Sequence, residues 1–196
     1  ALSRNRHTRA ELARSLGAGY VFGTEFVELD LGDARERIWH AGQENSAGLH
    51  GGGIVSALPL RRPALVRLET SGRWFDGMFG ERRVGGRIAV LAEIEVGGRS
   101  VLLASAHYES HTGPADRLLQ TRTMLDAIDA HGPGLPVLIG GDFNTNTFEL
   151  GDKHRPGVIG PALAADPHRL VEPAPYEPMF EELSRRGYRW QDCNLP

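Results

Sequence analysis

The sequence predicts an α/β protein of the α+β kind, with antiparallel or mixed sheets and helices on the outside. Three observations support this fold class. Short apolar strands recur along the chain, and two of them flank Gly97 and Gly98, a pair typical of a two-residue hairpin turn. A few segments also carry helix start and stop signals, most clearly between Gly113 and Gly132. The chain shows no internal repeat and no linker, which favours one domain over residues 1–196.

The composition is that of a soluble globular protein. A chain of 196 residues with 40% hydrophobic and 24% charged residues suits one core. The net charge of -3 gives no general attraction for nucleic acid. No apolar run approaches a membrane span and no signal peptide is visible, which favours a soluble, cytoplasmic protein. A monomer is expected, and no stable protein partner is implied. Secretion stays open, because the chain begins with Ala1 and not with Met.

The first elements are a helix and a strand. The stretch HTRAELARSLG (7–17) predicts a helix with a capping box formed by Thr8 and Glu11. Its apolar stripe comprises Leu12, Ala13 and Leu16. YVFGTEFVEL (20–29) predicts a strand whose core candidates are Val21, Phe26, Val27 and Leu29.

Residues 30–53 are polar and rich in glycine, which predicts a loop. Two short strands follow, IVSALPL (54–60) and ALVRLE (64–69). Residues 73–86 form a further predicted loop that contains Trp74 and Phe75. This aromatic pair could stack on a base or border a lipid pocket, with core packing as the alternative.

The second half begins with the predicted hairpin strands RIAVLAEIEV (87–96) and RSVLLASAHYES (99–110). The helix after them has Pro114 in its first turn and Gly132 at its end, and its apolar face consists of Leu118, Leu125 and Ile128. A Pro- and Gly-rich region at about 149–178 predicts irregular surface structure. EPMFEELSRRG (177–187) predicts a last short helix, and 188–194 an extended piece.

Polar side chains follow a buried strand in PVLIGGDFNTNT (136–147). Asp142 and Asn144 lie two residues apart, so in extended backbone their side chains point the same way. A carboxylate and an amide aimed into one space can hold a metal ion, a water molecule or a phosphate. A plain turn is the alternative, because Gly, Asp and Asn are also turn residues.

A second strand ends in the same manner. In RSVLLASAHYES the apolar run leads to His107 and Glu109, which share one face while Tyr108 faces away. Histidine can polarise or protonate a phosphoryl oxygen near neutral pH. A lone histidine at a strand end is usually structural, but two strands that both end in such groups favour a site.

Three further residues are candidates for substrate binding. His50 precedes three glycines whose backbone N–H groups could approach a phosphate, although a plain glycine loop fits equally well. Arg82 and Arg83 could contact a phosphate or an acidic head group. A solvated surface is the usual alternative for such an arginine pair.

Three of these stretches carry a family resemblance. GLHGGGIVSALPL (48–60), SAHYES (105–110) and GGDFNTNT (140–147) together resemble the endonuclease/exonuclease/phosphatase superfamily, in that family's order. The Gly-Asp-x-Asn strand end of the family matches Gly141 to Asn144. Ala106 stands where the family usually has Thr before its His, and Gly52 stands where Asn is common. The resemblance covers the chain from about Thr8 to Asn194.

The resemblance implies a four-layer α/β/β/α sandwich that hydrolyses phosphodiesters or phosphomonoesters with Mg²⁺ or Mn²⁺. By that analogy, Asp142 orients or deprotonates the attacking water, Asn144 holds a phosphate oxygen, and His107 stabilises charge on the phosphoryl group. The implied metal ligands are Asp142, Asn144 and Glu109. The implied substrates are nucleic acid, phospholipid head groups or small phosphate esters. A catalytically inactive relative that binds a phosphate ligand in the same cleft is the alternative.

Two motifs of the superfamily are missing from the chain. The family has an early Gln-Glu strand, whose Glu holds the main metal, and a late Ser-Asp-His motif. Glu25 and Glu28 do not stand in the first context, and the chain ends at Pro196 before the second would come. We therefore expect a domain that is incomplete at both ends and does not catalyse alone.

Overall fold

The computed structural model describes residues 6–45, 48–68, 80–148, 156–191 and 193. Over these residues the helices are α1 (Thr8–Ser15), α2 (Ala34–Trp39), α3 (Pro114–His131), α4 (Pro156–Ala165) and α5 (Met179–Arg185), with a short 3-10 helix at Pro167–Leu170. The strands are β1 (Gly19–Glu28), β2 (Leu49–Ser56), β3 (Arg61–Arg67), β4 (Arg83–Gly85), β5 (Ile88–Val96), β6 (Arg99–His107) and β7 (Val137–Asp142).

The strands form two sheets. The first has the order β2-β1-β4 and is antiparallel. The second has the order β3-β5-β6-β7 and is mixed, because β6 and β7 are parallel while the other pairs are antiparallel. Helix α3 makes the crossover that a parallel pair requires. The carboxyl ends of β6 and β7 consequently meet at one edge of the second sheet.

The two sheets pack face to face, with β1 and β2 against β5. Neighbouring residues on β1 show its two sides. The Phe22 ring contacts Arg9 at helix α1, whereas Gly23 lies against Val90 of the second sheet. On the far side of the second sheet, Leu102 and Leu125 belong to the core that β5, β6, α3 and α5 share. These four layers confirm the predicted α/β/β/α fold class.

The hairpin and the long helix are as predicted. Val96 pairs with Arg99, and the two glycines between them have φ values of 57° and 75°. Both values lie in the left-handed region that a two-residue turn of this kind needs. Helix α3 begins at Pro114 and is capped by Gly132.

Helix α1 differs from its prediction in two respects. Its N-cap is His7, whose ring nitrogen accepts a hydrogen bond from the amide of Ala10, so the predicted Thr8 capping box is wrong. Of the predicted apolar stripe only Ala13 is buried, while Leu12 and Leu16 are 51% and 63% exposed. The helix contacts the sheet instead through Arg9, whose guanidinium lies over the Phe22 ring. On β1, Phe26 is buried as predicted, but Leu29 lies beyond the strand and is exposed.

The predicted loop over 30–53 is also corrected. Asp33 and Glu36 form a capping box that starts helix α2 within it. Strand β2 begins at Leu49 and includes the three glycines, which pair with β1. Local hydrogen bonds at the helix start and strand pairing outweigh the loop-like composition.

The Pro- and Gly-rich region is more regular than predicted. Residues 149–155 lie outside the described part, but α4 and the 3-10 helix occupy much of the rest. The side chains of α4 described here are half-buried or exposed, so the predicted surface position holds while the irregular backbone does not. Helix α5 lies where the last short helix was predicted.

Among the described helices, none combines the length and the apolar character that a membrane span needs.

Candidate active site

His107 and Asp142 lie side by side at the carboxyl ends of two parallel strands. They are register partners at the last position of β6 and β7. The amide of Tyr108 donates to the carbonyl of Asp142 over 2.9 Å, which ties the two ends together. Side chains of register partners leave a sheet on the same face. The structure thus brings together two of the predicted catalytic residues.

Asn144 joins the same two strand ends. Its side-chain amide donates to the carbonyl of Tyr108 over 2.9 Å, and its backbone amide donates to Oδ1 of Asp142 over 3.0 Å. The second bond has the form of an Asp-initiated turn, so the turn interpretation is right about the local geometry. The same bonds fix a carboxylate and an amide next to His107. Turn and candidate site therefore coexist in this segment.

Gly141 allows the two strands to approach this closely. Its φ of 145° is one that side-chain-bearing residues rarely adopt, and a Cβ there would overlap the carbonyl oxygen of Ala106. Gly140 has no such restriction, since a Cβ there would meet nothing within 4 Å. The two glycines of the motif thus have different roles.

A buried charged network holds the ring of His107. Nδ1 of His107 lies 2.9 Å from Oε2 of Glu25, and because a carboxylate only accepts, Nδ1 carries the proton and donates it. The other oxygen of Glu25 accepts from Arg87, and Nη1 of Arg87 lies 3.2 Å from Nε2 of His107. Glu25 and Arg87 are 3% and 1% exposed, whereas the His107 side chain is 35% exposed. Buried partners therefore hold the imidazole ring, while part of the ring stays accessible to solvent.

A β-bulge gives Glu25 its position. The pairing of β1 with β2 shifts between Thr24 and Phe26, which leaves Glu25 as the extra residue. Bulges re-aim a side chain, and this one lies where the carboxylate reaches across to the second sheet. Sequence reasoning treated Glu25 as an ordinary strand residue.

Glu109, a predicted metal ligand, has both carboxylate oxygens engaged within the protein. Its Oε2 lies 3.4 Å from Nε of Arg87, and its Oε1 accepts from the amide of His111 over 2.7 Å. The residue is 2% exposed. Both oxygens therefore have partners inside the protein, which disfavours Glu109 as a metal ligand.

Asp142 and Asn144 remain as candidate ligands for Mg²⁺ or Mn²⁺. Both offer hard oxygen donors, and Asp142 is exposed. Mg²⁺ commonly takes one or two carboxylates together with several waters and substrate phosphate. The donor set fits such a partial protein site, with Asp142 as its carboxylate.

Another acidic group lies elsewhere in the described residues. The carboxylates of Asp33, Glu36 and Glu81 lie within 4.8 Å of one another. Asp33 and Glu36 bind backbone amides at the start of α2, and Glu81 forms an ion pair with Arg83. These bonds account for the cluster without a metal.

The predicted substrate-binding residues have different surroundings. The Arg83 side chain is only 8% exposed and pairs with Glu28 and Glu81, so it is not placed to contact a phosphate. Arg82 is 71% exposed and lies 3.8 Å from Asp30, which leaves it open to solvent.

His50 stacks on the Phe26 ring, with centroids 4.6 Å apart. Partial burial lowers the pKa of His50, which favours the neutral imidazole. Trp74 and Phe75 lie outside the described residues.

Arg87 is the site residue that sequence reasoning missed altogether. It is a fully buried guanidinium that contacts Glu25, Glu109 and His107. The available signal was its position, immediately before a strand that is buried on both faces. A charged residue there needs a buried partner, and Glu25 is one of two buried carboxylates on β1.

Comparisons with known proteins give structural likeness only. No protein-family profile and no curated protein matches the chain. Similar solved structures include the human Nocturnin catalytic domain with a bound sulfate anion, at TM-score 0.49 and 21% identity over 76% of this chain and 50% of that one. Another is an endonuclease/exonuclease/phosphatase family protein from Bacteroides thetaiotaomicron, at TM-score 0.44 and 17% identity over 71% and 46%. Sphingomyelinase C from Streptomyces griseocarneus is similar at TM-score 0.39 and 20% identity over 63% and 40%.

The chain spans half the length of the Nocturnin domain and less than half of the other two structures. Identities near 20% bear on the arrangement of strands and helices alone.

Proposed function

We propose that this chain carries part of the active site of a phosphoric ester hydrolase, at the carboxyl ends of β6 and β7. The observation that carries the proposal is the register pairing of His107 with Asp142, with Glu25 holding the imidazole ring. The reaction is attack of an activated water on phosphorus, in line with the leaving oxygen. Mg²⁺ or Mn²⁺ is the proposed cofactor.

Asp142 is the proposed water-orienting residue. Its Oδ1 accepts from the amide of Asn144, which fixes the plane of the carboxylate. The carboxylate is exposed, so a water molecule can reach its second oxygen, transfer a proton to it and attack the phosphorus atom.

His107 is the proposed partner of the phosphoryl oxygens. Nδ1 of His107 donates a hydrogen bond to Glu25, which leaves Nε2 as the nitrogen that faces the substrate. The guanidinium of Arg87 lies 3.2 Å from Nε2 and brings a positive charge close to the same position. The Arg87 charge favours an anionic oxygen there, and Nε2 donates to that oxygen once the ring carries a second proton.

Asn144 and Asp142 would hold the divalent ion through their side-chain oxygens. Such an ion supplies charge neutralisation for the phosphate when bound. The substrate class stays open between nucleic acid, phospholipid head groups and small phosphate esters. A net charge of -3 disfavours a dedicated nuclease, which usually carries a basic surface.

A phosphate-binding module without catalysis is the second candidate. One observation favours it: Glu25 and Glu109, the buried carboxylates nearest to His107, are both engaged by Arg87. Asp142 is then the single carboxylate left for a metal among the residues described at this edge. One carboxylate holds Mg²⁺ weakly, because this ion gives up its waters reluctantly.

The test is hydrolysis of bis(4-nitrophenyl) phosphate and 4-nitrophenyl phosphate by the intact gene product, with Mg²⁺ or Mn²⁺. Asp142→Ala should lower kcat by about 10²–10³-fold with only a small loss of Tm, because it removes an exposed transition-state contact and one turn hydrogen bond but no core packing. Asp126→Ala is the matched control, since Asp126 is an exposed aspartate on α3 that pairs with Arg186.

Metal-dependent turnover that survives Asp142→Ala would contradict the assigned role. Phosphate binding without turnover, lost in Asp142→Ala, would favour the binding module.

A further inference from the structure

The loops that leave β6 and β7 are tied to one buried ion pair. Arg117 of α3 and Glu177, just before α5, are both 0% exposed. Nε and Nη2 of Arg117 donate to the two oxygens of Glu177 over 2.9 and 2.6 Å. The pair is bidentate, the geometry that fixes a guanidinium and a carboxylate most firmly.

The carboxylate of Glu177 holds the loop after Asn144. Its Oε1 accepts from the backbone amides of Asn146 and Thr147, over 3.1 and 3.0 Å. Asn144 and Thr147 have positive φ values of 48° and 60°, which side-chain-bearing residues rarely adopt. Such backbone persists only where its surroundings enforce it. Glu177 supplies that enforcement two residues beyond Asn144.

The guanidinium of Arg117 holds the other loop. Its Nη1 donates to the carbonyl of Thr112 over 2.9 Å. Thr112 lies in the short segment that joins β6 to α3, five residues after His107. One ion pair therefore fixes both segments that emerge at the site edge.

We infer that Arg117 and Glu177 are positioning residues for the site formed by His107, Asp142 and Asn144. They act by setting the distance between the two loops and the backbone conformation at Asn144. The expected effect on catalysis rests on the proposed function. The expected effect on the loop is independent of it. A salt bridge that serves stability alone would leave the loop unchanged once the fold is intact.

Glu177→Asp is the decisive variant. It keeps the buried charge for Arg117, but the shorter side chain cannot reach the guanidinium and both loop amides together. We expect exchange of the Asn146 and Thr147 amides, followed by hydrogen–deuterium exchange of the intact protein, to quicken about tenfold. For the hydrolysis of bis(4-nitrophenyl) phosphate, kcat should fall by up to about 10²-fold while KM changes little, because a small displacement at the reacting groups is enough.

Glu182→Gln is the matched control. Glu182 is a buried carboxylate on α5 that pairs with Arg185 and Arg186. Its loss should lower Tm without changing exchange in the loop or kcat. Glu177→Gln keeps an oxygen that can accept from both loop amides and loses the bond from Nε of Arg117, so it should loosen the loop less than Glu177→Asp does. If Glu177→Gln does not fold, Glu177→Asp decides alone.

Loop amides that stay protected in Glu177→Asp would overturn the inference. Equal changes in Glu177→Asp and Glu182→Gln, in step with lost stability, would overturn it too. A loosened loop in a protein without any hydrolytic activity would support the positioning of the loop and count against the proposed function alone.

Discussion

Replacing Glu25 by glutamine tests how the buried network holds His107. Arg87, Glu25 and Glu109 are 1%, 3% and 2% exposed, so two buried carboxylates face one guanidinium. Glu25→Gln leaves Arg87 paired one to one with Glu109, whose Oε2 lies 3.4 Å from Nε. The free energy of unfolding should therefore fall by only about 1 kcal/mol, the worth of an ordinary hydrogen bond. Arg87→Met, in contrast, deprives two buried carboxylates of the guanidinium that pairs with both and should cost about 3–5 kcal/mol.

The effect of Glu25→Gln on activity should be larger than its effect on stability. The glutamine amide can donate to Nδ1 of His107, 2.9 Å away in the native protein, and so permits the other tautomer of the ring. We expect kcat to fall by about 10²-fold, the lower range for lost acid–base assistance. Urea unfolding and hydrolysis of bis(4-nitrophenyl) phosphate by the intact protein measure the two effects.

Glu93→Gln is the control for this experiment. Glu93 is a buried carboxylate that pairs with Arg62 over 2.6 Å, but it lies away from the end of β5 that pairs with His107. Its loss should lower stability and leave kcat unchanged. The reasoning is refuted if Glu25→Gln costs as much stability as Arg87→Met, or if it hydrolyses the substrate at the wild-type rate.

Two further predictions concern backbone and acid stability. Gly141→Ala should lower the free energy of unfolding by about 2–4 kcal/mol, because a Cβ would overlap the Ala106 carbonyl, while Gly140→Ala should cost less than about 1 kcal/mol; equal losses in thermal unfolding would contradict this. A hydrogen bond from Arg185 lowers the pKa of Glu182 to about 2, from a usual value of about 4.3. A carboxyl pKa that is lower in the folded state stabilises the fold at every pH above the unfolded-state pKa. This stabilisation is lost as the pH falls from about 4.3 toward 2. Glu182→Gln should therefore reduce the change in unfolding free energy between pH 4.3 and 2 by about 1 kcal/mol. The effect is no larger because Arg185 is exposed and solvent screens the pair. The same loss of unfolding free energy with falling pH in wild type and variant would count against it.

The parts of the fold that sequence predicted well are those with local causes. Gly97 and Gly98 define a hairpin turn because glycine readily adopts the positive φ values that the turn needs. Pro114 and Gly132 mark the ends of α3 because proline favours the first turn of a helix and glycine its end. Helix α2 was missed because polar and glycine-rich composition predicts a loop, although its capping box begins at Asp33. The capping-box pattern, which gave a wrong prediction at Thr8 and Glu11, gives the right one at Asp33 and Glu36.

The candidate site shows the same division. Asp142 and Asn144 could be predicted from sequence because they follow a buried strand and lie two residues apart. The pairing of Asp142 with His107 on β6 follows from the parallel arrangement of the two strands. Glu25 and Arg87 were not, since they meet only when the two sheets pack and a bulge turns Glu25 inward. Glu177 lies far from the site in sequence and reaches it through a loop backbone, which no periodicity reveals.

Mn²⁺ mapping by NMR tests the central claim most directly, that a divalent ion binds where β6 and β7 end. Mn²⁺ is added in small amounts to the ¹⁵N-labelled intact protein, and paramagnetic broadening is recorded for each amide. We predict that the amides of His107 and of residues 141–144 broaden first, and that Asp142→Ala abolishes this effect. Broadening confined to the acidic group of Asp33, Glu36 and Glu81, with residues 141–144 unaffected, would contradict the account.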